Sequence, residues 1–319
     1  MEKLKHVLES QQFSREWLEN ELFPLAAKME KIVKEQGVWP SCKYFFKRRA
    51  LSGKRMVSFF YEPSTGTQMS LEMAMERLGG KVVYSSDHAG ETSSIAKGET
   101  IQDTIKRVSA FRPDVIILRT PDEGMANKAA EFSTVPIINA GDGKGQHPTQ
   151  AQTDLFTIKK EKGEIEGQHL VITGDLARGR TARSLAYLSA KYPGVKISFV
   201  SPEMARIGHD VKDYLKKHRV PFEEIYDIRE VAPHGDVFYI TRIQRERGGD
   251  ILFNYGPPSF WKMNQEVLNL MKKDAIVMHP LPHLDEIAPE VDKDPRAAYF
   301  RQSENKLYIA MADLNMILK

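Results

Sequence analysis

Short runs of β-branched and apolar residues alternate along the chain with longer stretches in which apolar residues recur every three or four positions. The short runs cover residues 81–84, 115–118, 136–139, 170–173, 196–200, 236–240 and 275–278. Between them, helical periodicity covers 70–78, 100–110, 126–132, 149–160, 180–190 and 204–217. The short runs are apolar throughout rather than alternating, which suits strands buried on both faces. Strand–helix alternation of this kind predicts an α/β protein with parallel sheets flanked by helices. The first three strands and the last four predict two doubly wound domains. Residues 141–146, rich in Gly and polar side chains, form the expected junction, and a long helix follows from about Pro148. The apolar, periodic segment 307–318 reads as a closing helix, and topology alone does not assign it to either domain.

Composition narrows the class. The chain has 319 residues, 41% hydrophobic and 28% charged, enough for two domains of common size. No apolar run reaches the length of about eighteen residues that a membrane span needs. The start, Met1 to Lys5, is of mixed charge and lacks the apolar core of a signal peptide. A single cysteine, Cys42, excludes an internal disulfide and fits a reducing cytosol, so a cytoplasmic location is expected. Cys42 sits among Ser41, Lys43 and Tyr44 with no nucleophile motif around it. Net charge is +3 with both signs interspersed. The basic runs Lys47-Arg48-Arg49 and Lys54-Arg55 lack interleaved aromatics, so solvated faces or a small anionic substrate explain them better than nucleic acid. The histidines are scattered without zinc-type spacing, and Gly174-Asp175-Leu176-Ala177-Arg178-Gly179 lacks the glycine spacing of a dinucleotide loop. No metal and no cofactor are expected.

Several segments carry candidate chemistry. In Ser58-Phe59-Phe60-Tyr61-Glu62-Pro63-Ser64-Thr65-Gly66-Thr67-Gln68 an apolar strand ends at a proline, and hydroxyl residues with a glycine open a helix. Backbone N–H groups at such a start, with Ser and Thr hydroxyls, cradle phosphate well; a plain N-cap fits the same residues. Leu118-Arg119-Thr120-Pro121 places an arginine just past an apolar strand, where ligands bind in α/β sheets. Gly141-Asp142-Gly143 leads to His147-Pro148-Thr149-Gln150, and Ser93 precedes the loop Lys97-Gly98-Glu99-Thr100. Further on lie Gly179-Arg180-Thr181-Ala182-Arg183-Ser184, the stretch Thr241-Arg242-Ile243-Gln244-Arg245-Glu246-Arg247, and His279-Pro280-Leu281-Pro282-His283. Arginines in such turns suit carboxylate ligands, since a guanidinium can grip one carboxylate in two places.

Together these segments resemble the transcarbamoylases over nearly the whole chain, and specifically the aspartate carbamoyltransferases. The family carries Ser-Thr-Arg-Thr-Arg at the first turn; Ser64, Thr65 and Thr67 match it, whereas Gly66 and Gln68 stand where the family has arginines. His-Pro-Thr-Gln and His-Pro-Leu-Pro are both of the aspartate type, and the His-Cys-Leu-Pro of ornithine enzymes is missing. His283 replaces a usual arginine. The resemblance implies a donor domain over 1–147, an aspartate-type domain over 148–303, and a C-terminal helix over 304–319 that returns to the first domain. It implies carbamoyl transfer from carbamoyl phosphate to the amine of aspartate, as in pyrimidine biosynthesis, without a cofactor. By resemblance Thr67, Arg119 and His147 are catalytic. Ser64, Thr65, Thr67, Ser93, Lys97, Arg119, His147 and Gln150 bind the donor, with the backbone of Pro280 and Leu281. Lys97, Arg180, Arg242 and Gln244 bind aspartate. Ser93 and Lys97 match a loop that reaches into a neighbouring subunit, which implies a homotrimer with sites at subunit interfaces. Gly66 and Gln68 imply reduced or altered activity at the donor phosphate. A non-catalytic relative that binds a dicarboxylate or serves as an oligomeric partner, and an enzyme with a changed donor, are the alternatives.

Overall fold

The computed structural model describes residues 4–35, 49–86, 97–244 and 259–319; Cys42, Lys47, Arg48, Ser93 and the basic stretch 245–247 lie outside them. Two units divide the chain, Met1–Thr149 with Glu304–Lys319, and Gln150–Ser303.

The first unit is built on β1 (Arg55–Phe60), β2 (Lys81–Ser86), β3 (Val115–Thr120) and β4 (Ile137–Asp142), paired in the order β2-β1-β3-β4 and all parallel. Val57 and Phe59 of β1 and Ile116 and Leu118 of β3 pack with Ile101, Ile105 and Val108 of the helix Ile101–Ala110. Thr100 caps that helix by accepting a hydrogen bond from the Asp103 amide, which explains why the helix starts where it does. The second unit is built on β5 (His169–Thr173), β6 (Lys196–Val200), β7 (Phe222–Ile225), β8 (Val237–Ile240) and β9 (Ile276–Met278), in the order β7-β6-β5-β8-β9, again all parallel. Both sheets are therefore doubly wound, as the apolar runs predict.

Two strands exceed the seven predicted runs. β1 appears in the sequence only as the lead-in to the Ser64 turn. β7 reads Phe-Glu-Glu-Ile and is half-buried at a sheet edge, so it lacks the continuous apolar signal of a central strand. The predicted helix over 204–217 is interrupted: a single turn, Glu203–Ala205, is followed by the helix His209–Lys217 with Gly208 as its N-cap. The helix Phe23–Lys34 was not foreseen, and the C-terminal helix starts earlier than its apolar pattern suggests, at Tyr299.

In each sheet the chain reverses its winding direction once. In the first, β2 lies on one side of β1 and β3 on the other; in the second, β6 and β8 flank β5 in the same manner. The two connecting loops then diverge beyond the carboxyl ends of the central strands and leave a crevice. Phe60 is paired with Arg119 at the end of the first sheet, and Thr173 with Ile240 at the end of the second. The second crevice depends on close backbone approach. Thr241 donates its amide and its hydroxyl to the Thr173 carbonyl, at 2.8 and 2.9 Å. Gly174 follows with φ of 125°, where a Cβ would lie 2.2 Å from the Thr241 carbonyl oxygen.

The segment after β9 is held by buried polar contacts. The His279 amide donates to Gln302 Oε1 at 2.8 Å, and the Leu281 amide donates to His279 Nδ1 at 2.8 Å. Because Nδ1 accepts, the ring proton sits on Nε2, which faces Glu286 Oε1 at 3.0 Å. Burial pushes the imidazole pKa down, against the hydrogen bond and charge of Glu286, while His283 and Arg242 add to the lowering. Burial alone would raise the Glu286 carboxyl, yet the imidazole and nearby amides outweigh it and leave it below its ordinary value. The folded pair is a neutral imidazole donating to a carboxylate.

Two outcomes follow from these contacts. Gly174→Ala should cost about 2–4 kcal/mol, since positive φ and a backbone clash add, and its melting midpoint should fall by several degrees. Gly163→Ala, also at positive φ but with nothing within 4 Å of the new Cβ, should cost only about 1 kcal/mol. For His279 the unfolded chain takes up a proton near pH 6.5 and the folded chain resists it, so stability falls as pH drops below about 6.5. A His279→Gln variant should show a shallower loss of melting midpoint between about pH 7 and pH 5 than the parent.

Candidate active site

The first crevice gathers hydroxyl, imidazole and guanidinium groups. β1 ends at Phe60, and the helix Thr65–Arg77 begins after the Glu62-Pro63 turn. Ser64 is its N-cap residue but its side chain makes no capping bond, and the first intrahelical bond runs from the Gln68 amide to the Ser64 carbonyl at 3.0 Å. The amides of the first turn therefore point outward without a side-chain cap, and Thr65 and Gly66 are exposed. Thr67 is buried, with its hydroxyl 3.3 Å from His147 Nε2. His147 is 4% exposed, and its Nδ1 lies 3.3 Å from the Thr149 hydroxyl. The loop before it is stapled by Asp142, which accepts from the amides of Gln146 at 2.6 Å and Gly124 at 3.0 Å.

Arg119 is held from two sides. Its Nη1 donates to the Ala140 carbonyl at 3.3 Å, and its Nε stands 3.6 Å from Glu62 Oε2. Gln68 turns the other way: its Nε2 donates to Ser85 Oγ at 2.9 Å, and Ser85 donates to Glu72 at 2.6 Å. It ties the helix to β2 and its amide is spent on that tie. Lys97 is exposed ahead of the Thr100 cap, and no contact joins it to Thr67, Arg119 or His147. Ser93 lies outside the described residues.

The second crevice carries the remaining candidates. Arg180 opens the helix Arg180–Ser189 after β5 and is 4% exposed. Arg242 and Gln244 follow β8; Arg242 Nη1 donates to the Ile243 carbonyl at 3.0 Å and Gln244 Nε2 to the Arg242 carbonyl at 3.3 Å. Asp175 organises this loop. Fully buried, it accepts from Arg178 at 3.1 Å and from the Gln244 amide at 3.3 Å. Burial pushes its carboxyl pKa up, against the pull of those two donors. Gln150 donates to the buried Asp154 at 2.7 Å, and Asp154 also accepts from Gln302 at 2.6 Å. Pro280 and Leu281 follow β9, with Leu281 at φ of 55° ahead of a cis proline. His283 Nε2 stands 3.7 Å from Asp292.

Glu62 and Asp175 are the residues that motif reading passed over. Both lie inside segments singled out in the sequence, and each carboxylate next to a candidate arginine or its loop is the signal that points to them. Among the described residues no group of His, Cys, Asp and Glu is placed to hold a metal ion.

Comparison with known proteins gives the family. Residues 5–160 match the aspartate/ornithine carbamoyltransferase family's carbamoyl-P binding domain, and 166–317 match its Asp/Orn binding domain. The chloroplastic aspartate carbamoyltransferase of Arabidopsis thaliana is 49% identical over 317 residues, 99% of this chain and 78% of the relative. The catalytic subunit of the M. jannaschii aspartate transcarbamoylase superposes with a TM-score of 0.86 at 39% identity, over 99% of this chain and 98% of that one. The Trypanosoma cruzi aspartate transcarbamoylase in complex with carbamoyl phosphate and aspartate superposes with a TM-score of 0.88 at 34% identity, over 99% and 96% of the two chains. With both domain patterns matched and one relative near half identical, the chain belongs to the aspartate/ornithine carbamoyltransferase family, among its aspartate carbamoyltransferases.

Proposed function

We propose that this protein transfers the carbamoyl group of carbamoyl phosphate to the α-amine of aspartate, a step of pyrimidine biosynthesis. The observation that carries the reading is the loop after β8, where Arg242 and Gln244 are set by buried Asp175. It is supported by a solved relative that holds carbamoyl phosphate and aspartate together. In this reading the amine lone pair adds to the carbonyl carbon, and negative charge gathers on the carbonyl oxygen. The bond from that carbon to the phosphate oxygen then breaks, the electron pair leaves with phosphate, and the departing phosphate takes up the proton that the amine sheds. Thr67 and His147 donate to the carbonyl oxygen, and Arg119 receives charge on the phosphate side. Ser64, Thr65 and the amides of the first turn hold the phosphate, and Ser93 and Lys97 assist. Gln150 and the backbone carbonyls of Pro280 and Leu281 orient the carbamoyl amine. Arg180 and Arg242 take the two carboxylates of aspartate, with Gln244 beside them and Lys97 assisting. No covalent enzyme intermediate is needed, because positioning and charge stabilisation supply the acceleration.

Gly66 and Gln68 favour a second reading, a non-catalytic relative that keeps dicarboxylate binding. One assay separates the two. Carbamoyl aspartate should form from carbamoyl phosphate and aspartate, and Arg242→Ala should weaken aspartate binding by about 2–5 kcal/mol. Succinate binding without any product would favour the non-catalytic reading, and unchanged aspartate affinity in the variant would remove Arg242 from the acceptor site.

We further propose a cytoplasmic homotrimer. The single cysteine suits a reducing compartment, and the resemblance of Ser93 and Lys97 to a loop that completes a neighbour's site supports the assembly. Sedimentation should give a trimer; a stable monomer at micromolar concentration would end this assignment.

A further inference from the structure

Gly66 occupies the second position of the helix Thr65–Arg77, and nothing in the backbone there calls for glycine. Its φ lies outside the left-handed region, and a Cβ would meet a single atom, Lys306 Nζ, at an ordinary contact distance of 3.9 Å. Glycine is a poor helix former beside alanine, and at this position it leaves room at the helix start that a long side chain would fill. The group nearest that room is an ammonium. Lys306 comes from the C-terminal helix Tyr299–Leu318, which from Glu304 onward belongs to the same unit as β1 and the first crevice.

We propose that Lys306 is a phosphate-binding residue of the donor site, supplying at the first helical turn the positive charge that position 66 does not. The inference rests on the carbamoyl-phosphate reading given above. A phosphate lying over the uncapped amides of Thr65, Gly66 and Thr67 meets the positive end of the helix and the Lys306 ammonium together. Arg119, in register with the last residue of β1, provides the second cation. A lysine serves here as a compact point charge with three rotatable donors, and it makes room for itself only if residue 66 has no long side chain. Gly66 and Lys306 are then two halves of one arrangement, and an arginine at 66 would bring a second cation into the volume that the ammonium fills. Lys306 lies 240 positions from Gly66, so the motif gives no sign of it.

The test uses the full-length protein with Lys306→Met, Lys306→Arg, Gly66→Arg and the double Gly66→Arg/Lys306→Met. Calorimetry with inorganic phosphate and steady-state kinetics with carbamoyl phosphate are read together, and melting curves verify folding. Lys306→Met should weaken phosphate binding and raise the KM for carbamoyl phosphate by about tenfold or more, the size expected for one charge-assisted contact. Lys306→Arg should retain part of the affinity. Gly66→Arg alone should not improve binding, whereas the double variant should recover much of what Lys306→Met loses. Phosphate affinity and KM unchanged in Lys306→Met, or Gly66→Arg helping equally with and without Lys306, would overturn the proposal. Should Lys306→Met fail to fold, the Lys306→Arg and Gly66→Arg variants decide by the same readouts. If the parent binds phosphate through Lys306 but makes no carbamoyl aspartate, the activity reading falls and the phosphate assignment stands. A parent that does not bind phosphate removes the assignment.

Discussion

Reversal of strand order in a parallel sheet is the constraint on which the rest of this molecule depends. Parallel strands are joined by crossovers, so every loop leaving a carboxyl end starts from the same edge of the sheet. Where the winding reverses, two neighbouring strands send their loops to opposite faces, and the backbone between them is left uncovered. In this protein that happens between β1 and β3 and again between β5 and β8. Arg119 stands at the first of these edges, and Arg180 and Arg242 follow β5 and β8 at the second. The central strands are mostly apolar, and buried polar groups within them, such as Asn139 and Ser198, are paired inside the protein.

Charged groups at such an edge are useful only if they are held still before the ligand arrives, and holding them requires partners that are themselves half-buried. Arg119 has the Glu62 carboxylate and the Ala140 carbonyl, which restrain its guanidinium from two sides. The loop carrying Arg242 has Asp175, a carboxylate kept in the interior against a substantial desolvation cost. The same logic explains His279 and Glu286, a buried pair whose net effect is to fix the chain that follows β9. These carboxylates oppose the charge of the site they support. Preorganisation of this kind spends stability on geometry, and it is a usual reason for charged residues in a protein interior.

Much of the fold is legible in the sequence because burial on both faces of a parallel sheet writes itself as an apolar run. β5 and β6 are clear for that reason, whereas β7, half-buried at an edge with two glutamates, carries no such mark. The helix His209–Lys217 is visible as a periodic pattern, but its start at Gly208 is lost in the preceding apolar residues. Of the candidate site, Arg119 is marked by strand-end logic and Thr67 by the hydroxyls that open a helix, whereas His147, Arg180 and Arg242 are marked only by the resemblance of the motifs that hold them. What the sequence does not show is which groups support them. Glu62 and Asp175 sit inside quoted segments and look like ordinary loop acids until the fold sets them against an arginine or its loop.

Lys306 marks the deeper limit of motif reading. A motif counts charge over a short stretch, whereas a phosphate responds to charge in a volume of a few ångströms. Counted along the chain, Ser64-Thr65-Gly66-Thr67-Gln68 has no cation at all, and the natural inference is a weakened anion site. Counted in space, an ammonium lies within ordinary contact distance of where residue 66 would carry its first side-chain atom. The electrostatic requirement falls on the volume, since Coulomb energy depends on separation and local dielectric and is indifferent to chain order. A cation can therefore pass from one segment to another while the field at the ligand is kept, provided the donor of the charge gains room where the old side chain is absent. Glycine is the residue that gives most room, and it stands at the position where the helix's own dipole is already favourable to an anion.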